Sequence, residues 1–285
     1  MCALLVAGCS AVRLGYQGAP QLTWWWLDGY FDVDSANAPR VKASIERWFE
    51  WHRQTQLPEY AAWLSSVERR LGEPVSAAQM CQWFDQGRRL LQPALDRALD
   101  AAADLVPVLG PAQLAHLEQR QAKQLAQARK EYLDGDAQAR LEDAVDRMVQ
   151  RAERFYGRLG AEQRRAVERS VAVSPVDPAR WLAERERRQR ELVQTLRRWQ
   201  AERHERPQLR AALRQLAEQA EHGTDAGYRA YRQRVNEHQC RLAAELHQLA
   251  TPAQRAKARQ QFRTWEDDLR ALAADRPAQA VSNPG

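Results

Sequence analysis

The residue closest to a recognisable chemistry is a cysteine at the end of a short apolar run. Residues 1–9 read MCALLVAGC, so the small residues Ala7 and Gly8 precede Cys9. Small side chains before a cleavage point let a signal peptidase approach the chain, and the Cys9 thiol would accept diacylglycerol. We therefore expect residues 1–8 to be the remainder of a signal peptide and Cys9 to be lipidated, which would anchor a soluble domain to a membrane.

The tetrapeptide VAGC resembles the bacterial lipobox. In bacterial lipoproteins, Ser rather than Asp after the cysteine is typical of outer-membrane sorting, so Ser10 implies a lipid-anchored protein on the periplasmic face of the outer membrane. No Lys or Arg precedes the apolar run, and the run is shorter than a working signal. We therefore expect the true start codon to lie upstream. The alternative is an apolar N-terminus with a Gly-Cys pair that arose by chance.

A second candidate lies in the stretch WWWLDGYFDVD, where Asp28 stands among aromatic residues. Carboxylates beside aromatic rings could bind or hydrolyse a glycan. The same pattern fits tryptophans that lie in a core and aspartates that cap helices or pair with arginine. We treat these residues, with two from the next predicted helix, as possible partner-binding positions: Trp25, Trp26, Asp28, Tyr30, Trp51 and His52.

Motifs for catalysis or metal binding are missing from the sequence. We find no Ser-His-Asp set, no HExxH, no Gly-rich phosphate loop and no Cys/His pair at metal-ligand spacing. His52 shares a helix face with Trp48 and fits a packing residue. We therefore expect no enzymatic activity, no catalytic residues, no cofactor and no metal. Cys81 and Cys240 lie in helical patterns, and both buried thiols and a disulfide formed in an oxidising periplasm remain open.

The charge pattern offers a third candidate surface. The chain carries 43 basic and 37 acidic residues, and by our count residues 179–285 hold 21 basic and 14 acidic ones. Interleaved Glu and Arg are typical of a solvated helix surface. Alternatively, the excess could bind an acidic protein or anionic lipid, through arginines that look exposed: Arg187, Arg188, Arg197 and Arg198. An exported chain would not meet intracellular nucleic acid, so we expect no nucleic-acid partner.

The elements that would position these residues are helical. The chain is rich in helix formers and poor in runs of Val, Ile and Thr, so we expect an all-α, elongated multi-helix bundle. After Cys9 we expect a loop to Pro20, then a short aromatic helix broken near Gly29. A helix from Pro39 should be followed by another that restarts at Pro58 and stops at Gly72. This divides the chain into residues 1–8, an aromatic head over 9–72, an extended bundle over 73–275 and a disordered tail over 276–285.

The head carries a resemblance of some length. The stretches CSAVRLGYQGAP, WWWLDGYFDVD and RWFEWHRQTQLPEYAAWL, between Cys9 and Leu64, resemble an uncharacterised family of proteobacterial lipoproteins, known only as a domain of unknown function. That resemblance implies a lipobox, a helical periplasmic domain and no established activity.

A short repeat is more weakly similar to another family. The pentapeptides VSAAQ, LGPAQ, LGAEQ and ATPAQ, which begin at residues 75, 109, 159 and 250, resemble the Leu-Thr-x-x-Gln motif of Spy- and CpxP-type periplasmic chaperones. They also fit the start of a helix, where a cap and a Gln three residues later satisfy free backbone N–H groups.

Two functions follow as expectations. The first is a lipid-anchored, non-enzymatic protein that binds a periplasmic protein client and has an interaction or chaperone-like role. The second is a cell-wall protein that binds peptidoglycan through the Trp-rich head.

Overall fold

The computed structural model describes residues 11–202, 205–223 and 225–275, and within them it is a multi-helix bundle without strands. This confirms the all-α expectation. The helices are α1 (Ala11–Phe31), α2 (Ala38–Glu68), α3 (Ala77–Leu90), α4 (Gln92–Leu105), α5 (Pro111–Tyr132), α6 (Ala137–Tyr156), α7 (Ala161–Ala172), α8 (Pro178–Glu202), α9 (Arg206–His222), α10 (Ala226–Gln248) and α11 (Pro252–Ala274), with a short 3₁₀ turn at Val106–Val108.

The chain folds back on itself between α6 and α7, so that helices of its first half pair with helices of its second half. The most extensive contacts among the described helices join α2 with α11, α3 with α10, α4 with α9, α5 with α8 and α6 with α7. These pairs are nested like the two arms of a long hairpin. The helix α1 lies outside the series and packs against α2, α5 and α11.

A carboxylate between two arginines fixes α2 against α11. Glu68, the last residue of α2, is 7% exposed. Its Oε1 accepts hydrogen bonds from Arg259 Nε at 2.9 Å and from Arg263 Nη1 at 2.7 Å. A buried carboxylate is costly unless it is paired and hydrogen-bonded, so this contact disfavours any other register of α11 along α2.

A disulfide fixes the next pair. Cys81 of α3 and Cys240 of α10 are bonded, with Cα atoms 5.3 Å apart and 159 residues between them in sequence. Cys240 is buried in an apolar cluster that includes Met80 and Trp83. The sequence left two buried thiols or a disulfide open, and the structure has the disulfide.

The buried apolar side chains are divided among several clusters. In the described part of the chain, the largest joins α4, α5, α8 and α9 around Leu117, Leu196 and Leu209. Another joins α6, α7 and α10 around Val167, and a small one joins α1 and α2 through Trp24 and Ile45. The first two of these clusters draw on helices from both halves of the chain, so they form only when the chain has folded back on itself.

The loop expected after Cys9 and the helix break expected near Gly29 are wrong for the described residues. Instead, α1 runs unbroken from Ala11 through Pro20 and Gly29 to Phe31. A glycine inside a helix costs about 1 kcal/mol relative to alanine. Burial offsets this cost, because one face of α1 packs on α2, where the Tyr16 and Phe49 rings are 5.7 Å apart.

The helix restart expected at Pro58 is also wrong. One helix, α2, continues through Pro58 and ends at Glu68. A proline inside a helix removes a hydrogen bond and costs about 3 kcal/mol. Here Pro58 is exposed, while Leu57 and Ala61 on either side of it are each 1% exposed. The apolar face therefore continues across the proline and holds the helix together.

The division of the chain at residue 72 stays a prediction. Across that boundary, α2 packs along α11 over much of its length. The signal remainder over 1–8, the lipidated Cys9 and the tail over 276–285 lie outside the described residues.

The pentapeptide repeat marks helix starts. In three of its copies, a backbone N–H donates to the Oε1 of the Gln that follows three residues later: Gly110 to Gln113 and Gly160 to Gln163 at 2.9 Å, and Thr251 to Gln254 at 3.0 Å. In the fourth copy, Ser76 Oγ accepts from the Gln79 N–H. Capping of α3, α5, α7 and α11 accounts for the repeat.

We expect the disulfide to contribute about 2 to 5 kcal/mol to stability, because it closes a long loop in the unfolded chain. The measurement is thermal and urea unfolding of wild type and of the double variant Cys81→Ala/Cys240→Ala, each with and without dithiothreitol. Reductant should lower the Tm of wild type and leave that of the double variant unchanged. Equal sensitivity of the two proteins to reductant would contradict the bond.

Candidate functional site

The six head residues singled out from the sequence do not converge on one site. Trp25 and Trp26 lie on the outside of α1, with 60% and 58% of their surface exposed. Asp28 is engaged locally: its Oδ1 accepts a hydrogen bond from the Val33 N–H at 3.1 Å. This hydrogen bond ties the segment that follows α1 back to the last turn of the helix.

Tyr30 holds α1 against α5. Its hydroxyl donates to Gln124 Oε1 at 2.6 Å. On its other side, the Trp26 ring lies 4.7 Å from the Tyr30 ring, and the Arg120 guanidinium lies 5.9 Å from it. Tyr30 thus connects the exposed Trp26 to the packed side of α1.

His52 lies inside the head. Its imidazole stacks on Trp48 at 4.6 Å, and its Nδ1 is hydrogen-bonded to the Tyr16 hydroxyl at 2.9 Å. Burial lowers the pKa of His52 to about 4 and raises the pKa of Tyr16 to about 12. Near neutral pH both groups are therefore uncharged. Trp51 is half-buried, and the Arg97 guanidinium lies 5.7 Å from its ring.

The expectation that the four arginines are all exposed is wrong for two of them. Arg187 and Arg188 have side chains only 26% and 28% exposed, and both pair with the buried Glu184. Arg188 also donates to the Ala220 carbonyl on α9 at 3.2 Å. Both arginines therefore neutralise a buried carboxylate, and Arg188 also joins α8 to α9.

The other two arginines lie at the surface of α8. Arg197 is 58% exposed and pairs with Glu118 of α5 at 2.6 Å. Arg198 is exposed and has its Nη2 3.5 Å from Thr195 Oγ1. The basic excess of this region is therefore partly neutralised within the molecule, and a role of these arginines in partner binding stays a prediction.

The described residues line an apolar cavity of about 480 Å³ beneath α1 that is partly open to solvent, which we call the head cavity. It lies between α1, α2, α4 and the 3₁₀ turn. Its walls are mainly the aromatic and aliphatic side chains Trp26, Leu27, Phe31, Val41, Ile45, Trp48, Phe49, Leu99, Leu105 and Val106; polar side chains come from Thr23, Asp34, Asn37, Ser44 and Gln113. A second apolar cavity of about 350 Å³ lies between α2, α3, α6, α10 and α11.

The head cavity was missed by sequence reasoning. Val41, Ile45 and Phe49 were visible as an apolar stripe at helical spacing, which also fits a fully packed core. The stripe does not show that the facing helices leave a space. Among the described residues that line the cavity, Asp34 is the one with a titratable side chain. The chemistry of the cavity is therefore that of an apolar binding pocket.

A buried histidine in α10 was also missed. His247 is fully buried, with Nε2 2.9 Å from the Glu73 carbonyl oxygen and Nδ1 3.0 Å from the Tyr156 hydroxyl. A carbonyl only accepts, so Nε2 carries the proton and Nδ1 accepts from Tyr156. Burial lowers the pKa of His247. The neutral ring thus links α10 to α6 and to the segment after α2.

No metal cluster or membrane span appears in the parts of the chain that the structure covers. Three or more His, Cys, Asp or Glu side chains do not gather there in a way that could hold a metal ion. Over the same residues, no helix combines the length and apolar character needed to cross a membrane.

We expect Trp48→Ala to destabilise the protein by about 3 to 5 kcal/mol, the usual range for truncating a packed aromatic side chain. Trp48 stacks on His52, and its Nε1 donates to the Ala94 carbonyl at 3.1 Å. The matched control is Trp25→Ala at the exposed position, expected to change stability by less than about 0.5 kcal/mol. Urea unfolding followed by circular dichroism measures both. Similar losses in the two variants would contradict this assignment.

We expect His52 to make the protein less stable in mild acid. Its pKa is about 4 in the folded state and about 6.5 when unfolded, so between these values only the unfolded chain binds the proton. Stability should therefore fall as the pH drops from 7 to 5, by about 2 kcal/mol from this residue. His52→Asn should lose that much less over the same interval. Parallel curves of unfolding free energy against pH would contradict this result.

Comparison with known proteins gives a family. No curated protein and no solved structure shows significant similarity to the chain. The model of a family of unknown function, DUF6279, matches residues 29–222. This range includes most of the head and the α2 and α4 walls of the head cavity, whereas Cys9 and most of α1, with the cavity residues Thr23, Trp26 and Leu27, precede it. The chain therefore belongs to the DUF6279 family. This confirms that the chain resembles a domain of unknown function, as the sequence indicated.

Proposed function

We propose that the protein is exported and lipid-anchored, and that it acts by binding another molecule and not by catalysis. The observation that carries the first part is the disulfide between Cys81 and Cys240. Structural disulfides persist in oxidising compartments such as the bacterial periplasm and are rare in the cytosol. A bond that joins two helices of the core is therefore expected in a chain that folds after export.

The anchor in this proposal is Cys9. The lipobox-like VAGC places a cysteine directly before the described domain, and Ser10 favours the outer membrane over the inner one. The proposed location is the periplasmic face of the outer membrane of a bacterium. This agrees with the resemblance of the head to proteobacterial lipoproteins.

The proposed activity is a chaperone-like one, in which the head cavity holds apolar side chains of an incompletely folded client. Its volume of about 480 Å³ lies within the usual range for binding pockets. Few polar groups line it, so it would select for apolar character and not for a particular hydrogen-bonding pattern. The weak similarity to Spy- and CpxP-type chaperones points the same way, although capping accounts for the repeat that carries it.

A second candidate is binding to peptidoglycan. One observation favours it: Trp25 and Trp26 are adjacent in sequence and both are more than half exposed. Aromatic rings of this kind could stack on sugars. Trp25 does not line the head cavity and Trp26 does, so the two candidate functions predict different sensitivities to substitution.

The lipid anchor is tested by metabolic labelling with radioactive palmitate, using a gene extended upstream to include the full signal. The wild-type protein should incorporate label, and Cys9→Ser should abolish both labelling and signal cleavage. The matched control is Cys2→Ser, which should be labelled and cleaved normally. Label retained in Cys9→Ser would refute the lipobox.

The role of the head cavity is tested by blocking it at Ala98, an exposed alanine of α4 on its wall. Ala98→Phe should weaken suppression of the aggregation of heat-unfolded citrate synthase, because the added ring occupies the space for client side chains. The matched control is Ala183→Phe on the exposed surface of α8, which should leave suppression unchanged. Binding of each variant to peptidoglycan sacculi is measured in parallel with Trp25→Ala. Sacculus binding lost in Trp25→Ala, with no suppression by wild type, would favour the second candidate.

A further inference from the structure

The outer face of α1 has no charged side chain at its exposed positions; Asp28, on the same side of the helix, is half-buried and accepts a hydrogen bond from the Val33 N–H. We define this face by the ten exposed positions of the helix, which lie on one side of it: Ala11, Leu14, Gly15, Gln17, Gly18, Gln21, Leu22, Trp25, Trp26 and Gly29. Two glutamines are its only polar side chains, although 28% of all residues in the chain are charged. A solvated helix surface normally carries charged side chains opposite its buried stripe.

The same face exposes large apolar groups along its whole length. Leu14, Leu22 and Trp25 are 58%, 55% and 60% exposed. Leu14 and Trp25 are 11 residues apart, a distance of about 16 Å at the helical rise. A continuous apolar strip of this kind marks a binding surface for a protein or a membrane.

Cations stand at both edges of the face. Along one edge, the ammonium of Lys42 lies 4.6 Å from the centre of the Trp24 ring. Along the other, the guanidinium of Arg120 lies 5.9 Å from the centre of the Tyr30 ring. Both cations are exposed. Basic side chains beside tryptophan and tyrosine, flanking an apolar strip, are typical of helices that lie in a membrane interface.

We propose that the outer face of α1 lies on the surface of a bilayer containing acidic phospholipids, with Leu14, Leu22 and Trp25 among the acyl chains and headgroups. The inference rests on the proposed lipid anchor. Two residue steps separate Cys9 from Ala11, so the chain between them spans at most about 7 Å. A lipid on Cys9 would therefore bring the start of α1 to the membrane surface, where one lipid group and an apolar helix face together anchor more firmly than either alone.

The test separates the helix face from the lipid by using the full chain with Cys9→Ser, purified with its disulfide intact. Flotation with vesicles of phosphatidylethanolamine and phosphatidylglycerol, at a 3:1 ratio on the order of millimolar lipid, measures partitioning. Cys9→Ser should float with the vesicles, and adding Leu22→Glu should reduce partitioning about tenfold or more. The matched control adds Leu91→Glu instead, at a leucine that is 56% exposed outside α1, and should float like Cys9→Ser. Circular dichroism confirms that all three are folded.

The outcomes distinguish this inference from the proposed function. If Cys9→Ser does not float, or floats equally with and without Leu22→Glu, the docking of α1 is wrong, while palmitate labelling of wild type would still establish the lipid anchor. Flotation that depends on Leu22 supports the docking even if no palmitate is incorporated. Sedimentation velocity without vesicles tests the other occupant: a dimer that Leu22→Glu dissociates would assign the face to a second copy of the chain and overturn the inference.

Discussion

The pairing of each helix with a partner from the opposite half of the chain is the constraint on which the rest of the structure depends. Because the pairs are nested, α2 finds its partner only at the far end of the chain, in α11. Contacts of such long sequence separation carry a large loop-closure entropy when they form alone. If α6 and α7 pair first and the other pairs form outward from them, each new pair closes only a short loop. This order of folding has the lowest cost in loop-closure entropy.

Ion pairs to a buried carboxylate and a disulfide join the helix pairs whose two members are farthest apart in sequence. Glu68, Arg259 and Arg263 join α2 to α11, and the Cys81–Cys240 bond joins α3 to α10. The inner pairs have shorter connections and rely on apolar clusters and on surface ion pairs such as Arg197 with Glu118. The helix α1 packs on α2 and α11 of the outermost pair and on α5 of an inner pair. The head cavity and the outer face of α1 therefore depend on both sets of pairs.

The sequence predicted what depends on local chemistry. Helix formers indicated the all-α class, and the Gln residues three positions after a cap marked the starts of α3, α5, α7 and α11. It failed where burial decided the outcome. Pro20, Gly29 and Pro58 read as breaks, but the apolar faces of α1 and α2 continue past them and their packing outweighs the local cost.

The sequence also did not predict which residues far apart in the chain lie close together in the fold. The pairing of Cys81 with Cys240 depends on the fold-back of the chain, which no local pattern encodes. Likewise, Arg187 and Arg188 read as exposed because Glu and Arg alternate around them. That pattern is the same whether the carboxylate faces water or, as with Glu184, is buried against a neighbouring helix.

The fold-back also brings the two ends of the described chain together. Arg13, near the start of α1, lies 3.8 Å from the carboxylate of Asp275, and Arg53 donates to the Asp275 backbone carbonyl at 3.3 Å. Such proximity makes a circular permutation feasible. A short linker from residue 275 to residue 11, with new ends opened in the turn at Gly157, would keep all the nested pairs. In the permuted sequence α11 would be followed by α1 and then by α2, so that only α1 separates α11 from α2, whereas α6 and α7 would become the most distant partners.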